Sequence, residues 1–255
     1  MKISRISIVS IFIILWLAWS VLIAYGAGQQ GQMAGTLSPV KSYQISVPSR
    51  SFAGGLTFDG TSLWVSAQSV CDPARLQKYS LSGNPLETLL SSRGGNMGGG
   101  LAFDGTRLYN LNYNTNMNTG FHTIDRFSRS GDFMDETPAA GGPYNVFGLT
   151  WDGDGLYQGH SPTVKPRSMI YQLDANRREI KHATLPFYTR GLAWDGTHLW
   201  VSTGKSRKVY ELDADLNILR VYNSTVALAD ITWANGKLWG IESNANRLHQ
   251  FVIQR

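Results

Sequence analysis

The chain has 255 residues, 42% of them apolar and 16% charged, enough for one well-buried domain of the larger β type rather than two. Its single cysteine, Cys71, excludes an intrachain disulfide framework. The net charge of +5 is not organised into a nucleic-acid platform, because basic and aromatic residues do not interleave in any one run.

At the amino terminus Lys2 and Arg5 precede residues 6–25, a run of 20 residues without a charge. A helix of that length spans ~30 Å at ~1.5 Å per residue, the thickness of a bilayer core. Residues 1–26 are therefore expected to be a membrane anchor or a signal peptide, with Ala24-Tyr25-Gly26 as a candidate cleavage site. The basic residues before the run, and the absence of charge until Lys41, orient the rest of the chain outside the cytoplasm. Residues 27–40, Gly- and Gln-rich without periodicity, are expected to be a flexible linker.

From residue 41 onward the chain repeats one unit. Its clearest copy begins at Gly191: Gly-Leu-Ala-Trp-Asp-Gly-Thr-His-Leu-Trp-Val-Ser, then a polar stretch, then Val209-Tyr-Glu-Leu212 and Ile218 to Tyr222. The alternation and the Asp-Gly dipeptide predict a tight hairpin with a type I′ turn, followed by two more strands. Equivalent hairpins start at Gly55, Gly100, Gly148 and Asp230, at offsets of 45, 48, 43 and 39 residues. A four-stranded unit with that period predicts an all-β fold, a five-bladed β-propeller of antiparallel blades over residues 41–255. The fifth repeat ends one outer strand short, and the unpartnered segment from Lys41 to Pro48 is expected to supply it and close the ring.

The meander places the connections entering the inner strands, and those joining second to third strands, on one face, here called the loop face. The Asp-Gly turns lie on the other. The loop face collects Arg50, Arg93, Arg167, Arg190, Lys205 and Arg207 against Asp72, Asp230 and Glu242, whereas Asp59, Asp104, Asp152 and Asp195 lie on the turn face. Either this is a basic funnel for an anionic ligand, or the aspartates serve turn geometry and the bases solubility. The long loops of the second and third blades add Asn96, Asn114, Asn116, His122, Tyr144, Asn145 and His160, a corner of amides and rings suited to a glycan or peptide.

Catalytic patterns are sparse. His122 and His160 can approach each other but lack a third metal ligand, so no metal and no cofactor is expected. The asparagine-rich loop lacks the carboxylates of a calcium loop, Gly94 to Gly100 enters a strand rather than a helix, and Gly159-His-Ser161 is not a nucleophile elbow. The rings at Phe58, Phe103, Trp151, Trp194, Trp233 and at Trp64, Tyr109, Tyr157, Trp200, Trp239 occupy repeat positions and are expected to be inter-blade core.

The Gly-Leu-x-[Phe/Trp]-Asp-Gly hairpin, the Leu-[Trp/Tyr] pair and the Val-Tyr-Glu-Leu-Asp strand resemble the tandem-repeat propellers with Tyr-Val-Thr-Asn-like blades. They also resemble the five-bladed glutaminyl-peptide cyclotransferases. The second resemblance implies a catalytic glutamate just after the Leu-aromatic pair of an early blade, where this chain has Val65 in Leu63-Trp-Val-Ser66. Glu242, two places further on in the last blade, is the candidate acid or base, with an ion pair to Arg247 as its alternative role. The leading expectation is a membrane-tethered or secreted recognition module for an anionic glycan or a peptide. A cyclotransferase-like enzyme and a structural partner of an envelope protein are the alternatives.

Overall fold

The structure is a computed structural model that describes residues 31–47, 51–69, 75–90, 99–112, 122–142, 146–161 and 167–254. Two strands, β1 (Gln32–Leu37) and β2 (Lys41–Gln44), precede the first complete blade. Blade one comprises β3 (Ser51–Phe58), β4 (Leu63–Ser69), β5 (Arg75–Tyr79) and β6 (Pro85–Leu90). Blade two comprises β7 (Leu101–Phe103), β8 (Leu108–Asn112), β9 (Thr123–Phe127) and β10 (Phe133–Pro138). Blade three comprises β11 (Val146–Trp151), β12 (Leu156–His160), β13 (Ser168–Leu173) and β14 (Glu179–Leu185). Blade four comprises β15 (Gly191–Trp194), β16 (Leu199–Ser202), β17 (Lys208–Leu212) and β18 (Ile218–Ser224), and blade five β19 (Asp230–Ala234), β20 (Lys237–Glu242) and β21 (Arg247–Phe251).

Each blade is an antiparallel meander, and the ring closes as the unpartnered strand requires. Strand β2 pairs antiparallel with β21, Lys41 opposite Gln250 and Gln44 opposite Arg247. The expected linker is a different matter. Gln32–Leu37 adds to the outer edge of blade four, parallel to β18, with Gln32 opposite Arg220 and Leu37 opposite Ser224. Blade four therefore has five strands, and residues 32–37 are sheet rather than free spacer. Five of the six residues of β1 are exposed, so backbone pairing and not an apolar stripe holds it in place. The apolar run over residues 6–25 lies outside the described residues, among which no helix is long and apolar enough to cross a membrane.

The aromatic positions form the inter-blade core. The second-strand ring of one blade stacks on the inner-strand ring of the next: Tyr109 on Trp151, Tyr157 on Trp194 and Trp200 on Trp233, with centroids 6.0, 5.8 and 5.4 Å apart. Trp64 with Phe103 and Trp239 with Phe58 continue the series across the other two junctions. Each stack adds ~0.5–1.5 kcal/mol to the area buried, and together they lock every blade to its neighbour.

The Asp-Gly turns differ from the type I′ expectation. Only the glycine has positive φ, 91° at Gly60, 97° at Gly105, 110° at Gly153 and 97° at Gly196. The aspartate acts through its side chain. Asp59 Oδ1 accepts the amides of Thr61 and Ser62 at 2.9 and 2.7 Å, and its Oδ2 accepts the Trp64 indole N–H at 2.8 Å. Asp104 makes the same bonds to Thr106, Arg107 and the Tyr109 hydroxyl, and Asp195 to Thr197, His198 and Trp200. In these three blades the spacing Asp-Gly-x-x-Leu-aromatic pins the core ring five residues on, whereas in blade three Asp152 Oδ2 accepts Gln172 Nε2 at 3.0 Å. In blade five Ala234 replaces the aspartate. Its turn is the one with two positive φ values, 49° at Asn235 and 74° at Gly236, and Trp239 Nε1 is buried with no partner.

Candidate functional site

At the axis the inner strands converge, and the equivalent position of the repeat is held by Gly55, Gly100, Gly148, Gly191 and, in the fifth blade, Asp230. The glycines are required by proximity: a Cβ on Gly100 would strike the amide nitrogen of Leu149, and one on Gly191 would lie 2.6 Å from Asp230 Oδ1. Into the remaining space goes the Asp230 carboxyl, 1% exposed. It accepts the amide of Leu56 at 2.7 Å and its neighbour Ile231 at 2.9 Å, and also the amides of Leu101 and Leu192. Donors from four blades therefore meet on one side chain. Burial pushes this carboxyl well above its ordinary range, while the four amides favour the anion. The axis is filled here by the Asp230 carboxyl and the amides around it.

On that face, between blades four and five, Arg190, Lys205 and Glu242 line one cleft of about 90 Å³ together with Gly204, Ala227, Ala229, Ser243 and Asn244. Two equivalent one-turn 3₁₀ segments, Gly204–Ser206 and Ser243–Ala245, form its walls. Each ends in a left-handed residue, Arg207 (φ 51°) and Asn246 (φ 47°), whose amide donates back to the first carbonyl of the segment. This repeat of geometry presents Lys205 and Asn244 to the same space. Gly204 has φ 61°, and a Cβ there would approach Arg190 Cγ to 2.9 Å, so the glycine lets the arginine stem lie against the loop. The Arg190 guanidinium stacks over the Phe147 ring at 4.2 Å, which holds its charge at the mouth.

Glu242 does not pair with Arg247, although the two are opposite in the sheet. Its Oε2 lies 3.1 Å from His249 Nε2, and Arg247 Nε donates to Gln44 Oε1 at 3.3 Å. The other expected site residues fall elsewhere. His122 and His160 approach each other at the junction of blades two and three, as their loops predict. Burial lowers the pKa of both imidazoles; the proximity of His122 lowers His160 further, and a backbone bond at Asn112 opposes the shift in His122. They are not part of the cleft. Arg167 and Arg207 are exposed on the loop face and do not line the cleft either. Arg50, Arg93, Asn96, Asn114, Asn116, Tyr144 and Asn145 lie outside the described residues. Among the described residues no group of three or more His, Cys, Asp or Glu side chains is arranged to hold a metal ion.

The turn-face aspartates carry little free charge. Asp59, with its side chain fully enclosed, faces Arg129 at 3.1 Å and Lys78 at 3.4 Å in addition to its turn bonds. The polarity between the two faces is therefore weaker on the acidic side than a count of residues suggests. Sequence reasoning missed His249, Ser42 and the plugging role of Asp230. The last had a visible signal, a carboxylate at the position where every other repeat has glycine.

No protein-family model matches this chain, and no curated protein matches it in sequence. Solved structures do resemble it. The glutaminyl cyclase of Myxococcus xanthus is similar with a TM-score of 0.65 at 16% identity, over 86% of this chain and 97% of that one. The chain is a five-bladed propeller. A chain of a nidogen/laminin complex gives a TM-score of 0.55 at 14% identity, over 81% and 77% of the two chains. A luciferin-regenerating enzyme gives 0.54 at 14% identity, over 83% and 76%. What these proteins share with this one at such identity is the fold.

Proposed function

We propose that this protein is an extracytoplasmic recognition module that binds a polar or anionic ligand, glycan or peptide, on its loop face. The observation that supports it best is the convergence of Arg190 and Lys205 on one cleft with Glu242 as the single acid, beside an axis already filled by Asp230. A cleft of about 90 Å³ takes one end group rather than a whole chain, such as the carboxylate of a uronic acid or an acidic side chain. Arg190 offers a planar fork for that group, Lys205 a mobile point charge, and Ser243 and Asn244 offer neutral hydrogen bonds. The extracytoplasmic location rests on the uncharged run over residues 6–25 and the bases before it.

The test is retention of the full chain on immobilised acidic glycans. Charge reversal of Arg190 and Lys205 together is expected to abolish retention, and rising salt to weaken it in the wild type. Retention of the double variant at wild-type strength, independent of salt, would refute the assignment.

A second reading is favoured by one observation, the placement of Glu242 in the cleft with His249 behind it, on a fold shared with a glutaminyl cyclase. In that reading Glu242 serves as acid or base in closing an amino-terminal glutamine with loss of ammonia. Mass loss of ammonia from a Gln-initiated peptide, absent in Glu242→Gln, would support it; a peptide mass unchanged by the wild type would rule it out.

A further inference from the structure

The bond between Glu242 and His249 continues to the surface. His249 Nδ1 lies 2.8 Å from Ser42 Oγ, so Ser42, His249 and Glu242 form one hydrogen-bonded chain across blade five. The three residues come from β2, β21 and the end of β20, and ring closure by the amino-terminal strand is what brings Ser42 to a histidine 207 residues away.

The local sheet explains the geometry. The amide of Ile45 donates to the carbonyl of Asn246, so the alternation of an antiparallel pair makes Ser42 and His249 a non-hydrogen-bonded pair, whose side chains approach closely on one face. On the strand next to His249 its partner is Gly240, where a Cβ would lie 2.7 Å from Leu228 Cδ2. The middle group is the most enclosed: the His249 side chain is 4% exposed, whereas Glu242 is 26% exposed and Ser42 is exposed.

The direction of the hydrogen bonds follows from the donor inventory. A carboxylate only accepts, so Nε2 of His249 carries the proton bonded to Glu242. In the neutral imidazole Nδ1 is then an acceptor, and the Ser42 hydroxyl donates to it. That is the polarity a nucleophilic serine needs, with the two imidazole nitrogens exchanged relative to the serine-protease arrangement. The same alternation turns the Ser42 amide away from β21 toward the outer edge of the blade, where it can donate to a developing oxyanion.

We propose that Ser42, His249 and Glu242 are a nucleophile, base and orienting acid that give this protein a serine-dependent esterase activity toward small, activated carboxylic esters. As the bond from Ser42 Oγ to the acyl carbon forms, the hydroxyl proton passes to His249 Nδ1. The bond to the leaving oxygen breaks, and that oxygen takes the proton and departs as the alcohol. Water then adds by the same route, releasing the carboxylic acid and restoring Ser42. The two sites share Glu242, whereas Ser42 and His249 lie outside the cleft at Arg190.

The test uses the full chain with a fluorophosphonate probe and with p-nitrophenyl acetate. The probe should add to Ser42, as located by peptide mass spectrometry, and the Ser42→Ala variant should take no label and release p-nitrophenol at least about 100-fold more slowly. His249→Gln should behave like Ser42→Ala. Because a buried histidine also packs, Glu242→Gln provides a second readout: its side chain is partly exposed, and it should slow labelling of Ser42 about tenfold or more and alter the pH dependence of the rate. Label on other residues, ester hydrolysis unchanged in Ser42→Ala, or labelling of Glu242→Gln at the wild-type rate and pH profile would overturn the proposal.

Discussion

Removing the carboxylate of Asp59 should destabilise the propeller more than removing any other turn aspartate. Its side chain is fully enclosed and collects the amides of Thr61 and Ser62, the Thr61 hydroxyl and the Trp64 indole, with Lys78 and Arg129 beyond them. Burial by itself would raise this carboxyl; the bonds from Trp64, Thr61 and Ser62 outweigh it and hold the group far below the ordinary carboxylate range. Asp59→Ala leaves the Trp64 N–H, 1% exposed, without an acceptor. One orphaned buried donor costs ~1–3 kcal/mol, and a bond to a charged acceptor contributes ~1.5–3 kcal/mol. Because the bonds share one partner they do not add, and ~3–4 kcal/mol is the expected total. In a domain of this size that lowers Tm by roughly 6–16 °C. Thermal unfolding followed by Trp fluorescence and circular dichroism would measure it. The cycle with Trp64→Phe isolates the indole bond, since phenylalanine has no N–H to strand, and a coupling of about 1–2 kcal/mol is expected. A shift in Asp59→Ala below ~1 kcal/mol, or strict additivity with Trp64→Phe, would refute the clamp.

Three further outcomes follow from the same groups. Burial raises, and hydrogen bonds more than offset, the carboxyls of Asp104 and Asp195 as well, so with Asp59 all three have depressed folded-state pKa values. Their contribution is present above the unfolded carboxyl value of ~3.9 and is lost as pH falls through the folded values, so unfolding midpoints should drop below about pH 4 and drop less in Asp59→Ala. Identical pH profiles for the two proteins would contradict that. Asp230→Asn puts an amide N–H₂ among donors from four blades and should cost ~2–3 kcal/mol, read by denaturant unfolding; a neutral result would show that the axial carboxylate is dispensable. Arg190→Ala removes the cation stacked on Phe147 and should weaken retention on acidic glycans about tenfold while lowering stability little; an unchanged affinity would place the ligand elsewhere.

Blade number, blade order and ring closure were legible because each depends on a local pattern repeated five times: alternation, a turn dipeptide, and an aromatic at a fixed offset. The role of the turn aspartate was legible only in part. Its backbone was expected to supply positive φ, whereas its side chain caps the turn and holds a ring five residues away, a tertiary bond that local turn chemistry does not announce. Strand β1 was not legible, since Gln32–Leu37 buries almost nothing and owes its existence to backbone pairing with β18, 180 or more residues distant. At the site, Arg190, Lys205 and Glu242 could be assigned to one face from the meander alone. That they share a cleft depends on two 3₁₀ segments whose similarity lies in dihedral angles rather than in residues. The Ser42–His249–Glu242 chain was invisible for the same reason as the ring closure is effective: it joins strands whose contacting residues are 207 positions apart.

The most direct test of binding at the cleft is backbone amide chemical-shift mapping of the full chain titrated with an acidic oligosaccharide of uronic acid units. Saturable shifts centred on Gly204, Lys205, Ser243 and Asn244, lost when Arg190 and Lys205 are reversed in charge, are the predicted result. Shifts confined to the turn face around Gly60, Gly105 and Gly196, or none at saturating ligand, would contradict it.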